Sequence, residues 1–259
     1  MSKELDFAID LAHQAGDIML EYFKVGVEHI AKHDKSPVTE ADIKINDLVI
    51  ERVKSEFPDH AVLGEEASWN LPSKMTWVCD PIDGTRPFVY GLPYSVFSLA
   101  LVEDGVPVIA VVYDPYSKRL YRAEKGKGAF LNDEPIGVNS KSDLEHTVVG
   151  AGKHLPFENL DHSKLFDQLI NKVHRTITLQ CVVQEAMLIA TGQVEGNIFI
   201  SDTAHDIAAV KLLIEEAGGK VTDLYGNEQR YDQPIRGALI SNGHIHDDLV
   251  RIVRNSIVV

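Results

Sequence analysis

The 259-residue chain is expected to form an α+β protein of stacked layers. Two long helical periods come first, a block of short apolar runs broken by Gly, Pro and Asp follows, and beyond Pro135 strand-like and helical segments alternate. Strands mixed with long helices bury their apolar faces by layering.

From Leu5 to Phe23 the residues Leu5, Ala8, Ile9, Ala12, Ala15, Met19, Leu20 and Phe23 recur at helical spacing, which predicts an amphipathic helix. A second helix is expected over Thr39–Phe57, carrying Ile43, Val49 and Val53 inward. Thr39 suits its N-cap, and Asp42 stands three residues on, where an acid favours a helix start. Strands are expected at Trp77–Cys79, Val96–Val102, Val106–Tyr113, Leu120–Ala123 and Ala129–Leu131, with a hairpin turn at Glu103-Asp104-Gly105. Further strands are placed near Val148, Ile177, Ile198, Val221 and Leu239. Helices are placed near Leu165, at Val183–Ala190, at Asp206–Ala217 and at His246–Arg254. No internal repeat or Pro/Ser-rich linker divides the chain, so residues 1–259 are expected to be a single domain with any subdomain seam near residues 135–145.

A chain that is 44% hydrophobic and 25% charged has ample material for a large core. Its net charge of -14 argues against nucleic acid and anionic membranes as partners and makes a cation the natural local ligand. Cys79 and Cys181 are too few for a disulfide framework or a Cys-rich zinc site, which fits a cytoplasmic protein. Met1 to Leu20 alternates charges with apolar residues, so neither a signal peptide nor a membrane span is expected there.

The strongest local signal is Trp77-Val78-Cys79-Asp80-Pro81-Ile82-Asp83-Gly84-Thr85, a strand running into two carboxylates, a proline and a glycine. Asp80 and Asp83 can converge on one side of such a turn, the Ile82 carbonyl can join them, and Gly84 lets backbone amides approach an anion. By itself an Asp-Pro or Asp-Gly turn is common. Gly64-Glu65-Glu66 precedes it and Ala204-His205-Asp206 opens a later helix. In isolation, paired glutamates are ordinary surface and an acid at a helix start is an ordinary dipole partner. Lys125-Gly126-Lys127-Gly128 lacks the ending of a phosphate loop and is expected to be a hairpin turn. Gly243–Asp248 is expected to be a polar helix start, and Cys79 a packed strand residue.

Taken together these blocks resemble the inositol monophosphatase family of magnesium-dependent, lithium-sensitive phosphatases. The resemblance spans nearly the whole chain. It also includes Ser36-Pro37-Val38-Thr39, Ala41-Asp42, Lys125–Phe130 with Asn132, Ala190-Thr191-Gly192, Asp206-Ile207-Ala208-Ala209 and Glu216-Ala217-Gly218-Gly219-Lys220. It implies a layered α-β-α-β-α sandwich and a single catalytic domain. It further implies two or three magnesium ions held by Glu65, Asp80, the carbonyl of Ile82, Asp83 and Asp206, with Glu66 behind them. Asp42 and Thr85 would orient and deprotonate the attacking water, and the amides of Gly84 and Thr85 would cradle the phosphate. The implied chemistry is hydrolysis of a small phosphorylated metabolite by metal-activated water, in a homodimer.

Four features leave the family's pattern. His205 stands where the family usually has Trp, and Pro87 where it has Asn; Pro87 fits the first turn of a short helix. Leu179-Gln180-Cys181-Val182 replaces small residues of the substrate pocket, and Phe199 replaces a Glu that meets substrate hydroxyls. Gln180, Phe199 and His205 are therefore expected on the substrate side, with inositol 1-phosphate a poorer substrate than at least one other phosphomonoester. Candidates are inositol, sugar and histidinol phosphates, fructose 1,6-bisphosphate and nucleotide 3'-phosphates. Gly64 and Ile82 weaken the nucleotide reading. The alternative is a family member without turnover that acts as a metal- or ligand-binding regulator.

Overall fold

The computed structural model describes residues 2–31, 37–152 and 159–257; Ser36, part of one family-like block, lies outside them. Helix α1 (Lys3–Tyr22) starts where the Ser2 hydroxyl accepts the Leu5 N–H. A two-stranded ribbon, β1 (His29–Ala31) and β2 (Pro37–Thr39), leads into α2 (Glu40–Glu56). Thr39 caps α2 in a reciprocal box with Asp42, as its sequence predicts. The buried stripe of α2 is Ala41, Asp42, Ile45, Asn46, Val49, Ile50 and Val53. Ile43, expected inward, lies off that stripe and is 47% exposed.

A seven-stranded sheet follows: β3 (Ala61–Gly64), β4 (Met75–Asp83), then, past a short helix α3 (Thr85–Val89), β5 (Val96–Glu103), β6 (Val106–Asp114), β7 (Arg119–Glu124), β8 (Ala129–Leu131) and β9 (Glu134–Pro135), hydrogen-bonded in that order. Only β3 runs parallel to its neighbour. The hairpin between β5 and β6 turns at Asp104 and Gly105, both at positive φ, as a tight two-residue turn requires. The chain leaves this sheet at Pro135 and enters a five-stranded one made of β10 (Val148–Ala151), β11 (Arg175–Ile177), β12 (Gly196–Phe199), β13 (Lys220–Thr222) and β14 (Ala238–Ser241), in the order β11-β10-β12-β14-β13. Its helices are α4 (His162–Lys172), α5 (Val182–Ala190), α6 (Ala204–Glu216) and α7 (His246–Arg254).

Apolar clusters define the layers. α1 and α2 pack on the outer face of the large sheet around Leu11, Ile45, Trp77 and Leu99. α5 and α6 fill the space between the sheets with Val183, Met187, Ile207 and Leu213 against Val112, Tyr121, Val221 and Ile240. α4 and α7 close the far face around Leu165, Ile198 and Leu249. The result is the expected α-β-α-β-α sandwich. α5 is apolar nearly all round because it is covered on both sides.

Two devices tie the layers. The Lys125–Gly128 segment is a turn between β7 and β8, and its Gly126 and Gly128 amides donate to the Glu216 carboxylate at the end of α6, at 2.6 and 2.7 Å. An anion-binding nest is thus filled from within the chain. Buried His246 bridges the last sheet to α7, its Nε2 2.9 Å from Thr222 Oγ1 and its Nδ1 2.8 Å from Ser241 Oγ. The Thr222 hydroxyl donates its proton to the Asp223 carbonyl, so Nε2 carries the ring proton and Nδ1 accepts.

Burial pushes the His246 pKa down to about 4, helped by Lys220 and Lys211 and opposed by Asp247 and Glu228. The folded protein resists protonating this ring, so its contribution to stability is present above the ordinary histidine range near pH 6.5 and is lost as pH falls toward 4. His246→Gln is therefore expected to lower Tm at pH 7 and to flatten its fall between pH 6.5 and 4. Parallel Tm curves for the two proteins across that window would contradict this.

Candidate active site

β4 pairs with β5 in register as far as Asp80 opposite Ser98, and the register then shifts between Asp80 and Asp83. The irregularity brings both carboxylates to one place, where an unbroken strand would not put residues three apart on one face. The Ile82 N–H donates to Asp80 Oδ1 at 3.1 Å, and the Thr85 hydroxyl donates to the Ile82 carbonyl at 3.1 Å. Gly84 sits at φ +85°, and a Cβ there would stand 3.0 Å from both Cys181 Cβ and the Tyr94 carbonyl, so the turn needs glycine on both counts. Pro87 is the third residue of α3, where no donor is missed.

Parallel pairing of β3 with β4 sets Glu65 beside the turn, its N–H donating to the Cys79 carbonyl at 3.1 Å. The Glu66 N–H reaches Asn46 Oδ1 of α2 at 3.4 Å. In α2 the backbone N–H and hydroxyl of Thr39 both donate to Asp42 Oδ2, at 2.8 and 2.5 Å, while Asp42 Oδ1 is buried with no partner among the described residues. From the other sheet, α6 presents Asp206 in its first turn, where the Thr203 hydroxyl donates to Oδ2. The start of α5 faces Asp83, whose Oδ2 accepts the Val183 N–H and the Cys181 S–H, each at 2.8 Å.

Two groups of ligand atoms result, each within 4.8 Å: Asp80, Asp83 and Asp206, and Glu65, Asp80 and His205. Asp80 belongs to both. Either group could hold a metal ion. Hard oxygen donors around a shared carboxylate suit divalent cations, and the orphaned Asp42 oxygen beside them is what a hydrated ion would satisfy.

Burial holds the Asp80 carboxyl well above the usual range, with Glu65, Asp206, Asp83 and Asp42 adding to it. Burial likewise raises Asp83, Asp206 adding repulsion and the Cys181 and Val183 hydrogen bonds opposing it. Asp42 is pushed up to about 7, first by burial, with Glu65 and Glu66 contributing.

A cleft of about 420 Å3 opens beside Asp206, Gly84 and Thr85, and Gln180, Glu185 and Asn197 also line it. Gln180, at φ +60°, is where its sequence position suggests. Phe199 is not among the lining side chains. It is 2% exposed, inside the apolar cluster between the sheets, and Asn197, two residues earlier on the same face of β12, lines the cleft instead. Glu185 escapes local reading of the sequence, although a lone acid inside Val182–Ala190 is a signal. Its Oε1 accepts the Leu179 N–H and its Oε2 the Asn197 amide, each at 2.5 Å, which holds the turn around Gln180. Cys181 also lacks any local signal, because its contact with Asp83 spans 98 positions. His205 stands on the turn of Asp206, its Nε2 3.7 Å from Asp206 Oδ2, beyond hydrogen-bond length.

Metal-free protein bears the repulsion among these carboxylates unscreened. Groups raised above their unfolded pKa stabilise the fold when protonated, and that contribution fades as pH rises through the folded values, near 7 for Asp42 and in the same direction for Asp80 and Asp83. In chelator, Tm is expected to be lower at pH 8 than at pH 6, and millimolar magnesium to reduce or reverse the difference. A Tm indifferent to both pH and magnesium would show that the carboxylates are not packed together in solution.

The Inositol monophosphatase family model matches residues 1–257. The fructose-1,6-bisphosphatase/inositol-1-monophosphatase of Thermotoga maritima is 32% identical over 251 residues, covering 96% of this chain and 95% of that one. The histidinol-phosphatase of Chlorobaculum parvum is 31% identical with 98% of each covered, and the Nus factor SuhB of Pasteurella multocida is 30% identical, covering 98% and 94%. Among solved structures, a Thermotoga maritima IMPase superposes with a TM-score of 0.88 at 31% identity, over 98% of both chains. The extragenic suppressor protein SuhB of Bartonella henselae does so with 0.89 at 27%, over 99% and 100%. With the whole chain matched in sequence and in fold, this protein belongs to the inositol monophosphatase family, a family of phosphatases.

Proposed function

We propose that the chain is a magnesium-dependent phosphomonoesterase acting on a small phosphorylated metabolite, with Glu65, Asp80, the Ile82 carbonyl, Asp83 and Asp206 holding two or three magnesium ions. The observation that carries this is the sharing of Asp80 between two groups of ligand atoms, one of which reaches a cleft through Asp206. Bound there, magnesium supplies Lewis-acid neutralisation of phosphoryl charge. The chain's own groups do the rest. Asp42, buried beside Glu65 and Glu66, takes the proton of the attacking water. The Thr85 hydroxyl, anchored on the Ile82 carbonyl, orients that water, and the Gly84 and Thr85 amides receive the phosphate. We place Gln180, Glu185 and Asn197 on the leaving group in place of Phe199.

Cytoplasmic residence and a homodimer belong to the same proposal. Both cysteines are free and buried, as a reducing compartment allows, and no helix among the described residues is long and apolar enough to cross a membrane. We treat the chain as one catalytic unit whose seam is the 135–145 connection between the sheets. The likeness to Nus factor SuhB favours a second reading, a regulator that binds metal without turnover.

Phosphate release from about a hundred phosphorylated metabolites, with and without magnesium, separates the two. Turnover of at least one, abolished by chelator, is expected, and none at all would favour the regulator. With Gln180, Glu185 and Asn197 around the leaving group, a phosphomonoester bearing hydroxyl or amino groups is expected to exceed p-nitrophenyl phosphate in kcat/KM. An aryl phosphate ranking first would overturn this polar assignment of the leaving-group side.

Asp83→Asn is expected to cut kcat at least about a hundredfold at saturating magnesium, since it weakens a cation position. The amide oxygen can still accept the Val183 N–H, and one charge leaves the cluster, so Tm without metal should hold or rise. Undiminished kcat would make Asp83 a turn residue only.

A further inference from the structure

We infer that His205 is a ligand of one divalent cation, giving that position a nitrogen donor alongside Glu65 and Asp80. The inference rests on the metal-dependent reading of the site and adds a ligand that the acidic motifs do not contain.

Ligand atoms of Glu65, Asp80 and His205 all lie within 4.8 Å of one another. Adjacent ligand atoms about 2.1 Å from one octahedral ion stand about 3.0 Å apart, so the three draw together by at most about 1.8 Å. His205 and Asp206 are consecutive in the first turn of α6, and Asp206 belongs to the other group of ligand atoms. One helix start thus reaches both positions, and Asp80 lies between them. The imidazole is mostly shielded, with 16% of its side chain exposed. Its 3.7 Å separation from Asp206 Oδ2 leaves that ring nitrogen outside a hydrogen bond with the neighbouring carboxylate. Asp42 Oδ1, buried with no partner among the described residues and within electrostatic reach of Glu65 and Asp80, marks the site as short of a ligand.

Imidazole in an otherwise all-oxygen site changes which ions compete for it. Magnesium gains little from a nitrogen donor, whereas zinc and its transition-metal neighbours gain much. The consequence is a two-position centre of unequal character, with an all-carboxylate side at Asp83 and Asp206 and a mixed side at Glu65 and His205.

The test loads the full chain with Mn2+ in the absence of substrate and measures electron spin-echo modulation from directly bound 14N. Native protein is expected to show it, and His205→Gln and His205→Asn to lose it while still binding Mn2+. Labelling native protein with 15N-histidine is expected to replace the 14N pattern, which decides the donor type even if a variant fails to fold. In parallel, the ratio of Zn2+ to Mg2+ affinity is expected to fall at least about tenfold in both variants. Mn2+ bound through oxygen alone in the native protein overturns the inference and leaves the metal-dependent reading intact. Absence of Mn2+ binding overturns both. Nitrogen coupling that persists in the variants assigns the donor elsewhere and overturns the role of His205.

Discussion

Mutual repulsion among buried carboxylates is the condition under which the rest of this molecule is built. Asp80 and Asp83 are 2% and 6% exposed and Asp42 is fully buried, and each is raised in pKa first by burial and then by acidic neighbours. Nothing about an acid favours such a place, so the structure around it must force the approach. Rigid elements do this: the irregular end of β4, the end of β3, the capped start of α2 and the first turn of α6. Local donors reduce the cost without neutralising it, through Thr39 on Asp42, the Ile82 amide on Asp80, Cys181 and Val183 on Asp83, and Thr203 on Asp206.

The middle layer explains how acids so far apart in the chain meet. α5 and α6 are the two helices packed against both sheets, and their starts point at the β4 turn. Asp83 is held by the opening of α5 and faces Asp206 from the opening of α6, so the two sheets are registered to each other at the site itself. The cleft residues Gln180, Glu185 and Asn197, by contrast, come from the turn before α5, from α5 itself and from the second sheet. The relatives carry names as different as histidinol-phosphatase and fructose-1,6-bisphosphatase/inositol-1-monophosphatase.

Much of this was legible before any coordinates. The period of α1, the Thr39–Asp42 box and the Asp80–Thr85 turn are local patterns, and local geometry obeys them. The order of the acidic blocks along the chain also pointed to the fold. Three kinds of residue resisted. Ile43 resisted because helix phase is set by which stripe meets the sheet, and Ile45 takes that place. Phe199 and Asn197 share a strand face, and only the ends of that strand decide which meets the cleft and which the core. Cys181 and Glu185 act through contacts whose partners depend on how the two sheets stack or how a turn closes, and periodicity carries no trace of either.

The clamp of Glu216 on the Gly126 and Gly128 amides has a mechanical meaning. Asp206 and Glu216 sit ten residues apart on one helix, about 15 Å at 1.5 Å per residue. α6 is therefore a strut pinned at its far end to a hairpin of the large sheet, while its near end carries a carboxylate into the site. Stiffness of the turn at Gly126 is transmitted along the strut as positional accuracy at Asp206. Loosening a glycine turn on the protein surface would thus blur the spacing of the acids at the opposite end of the helix, with no residue of the cleft having changed.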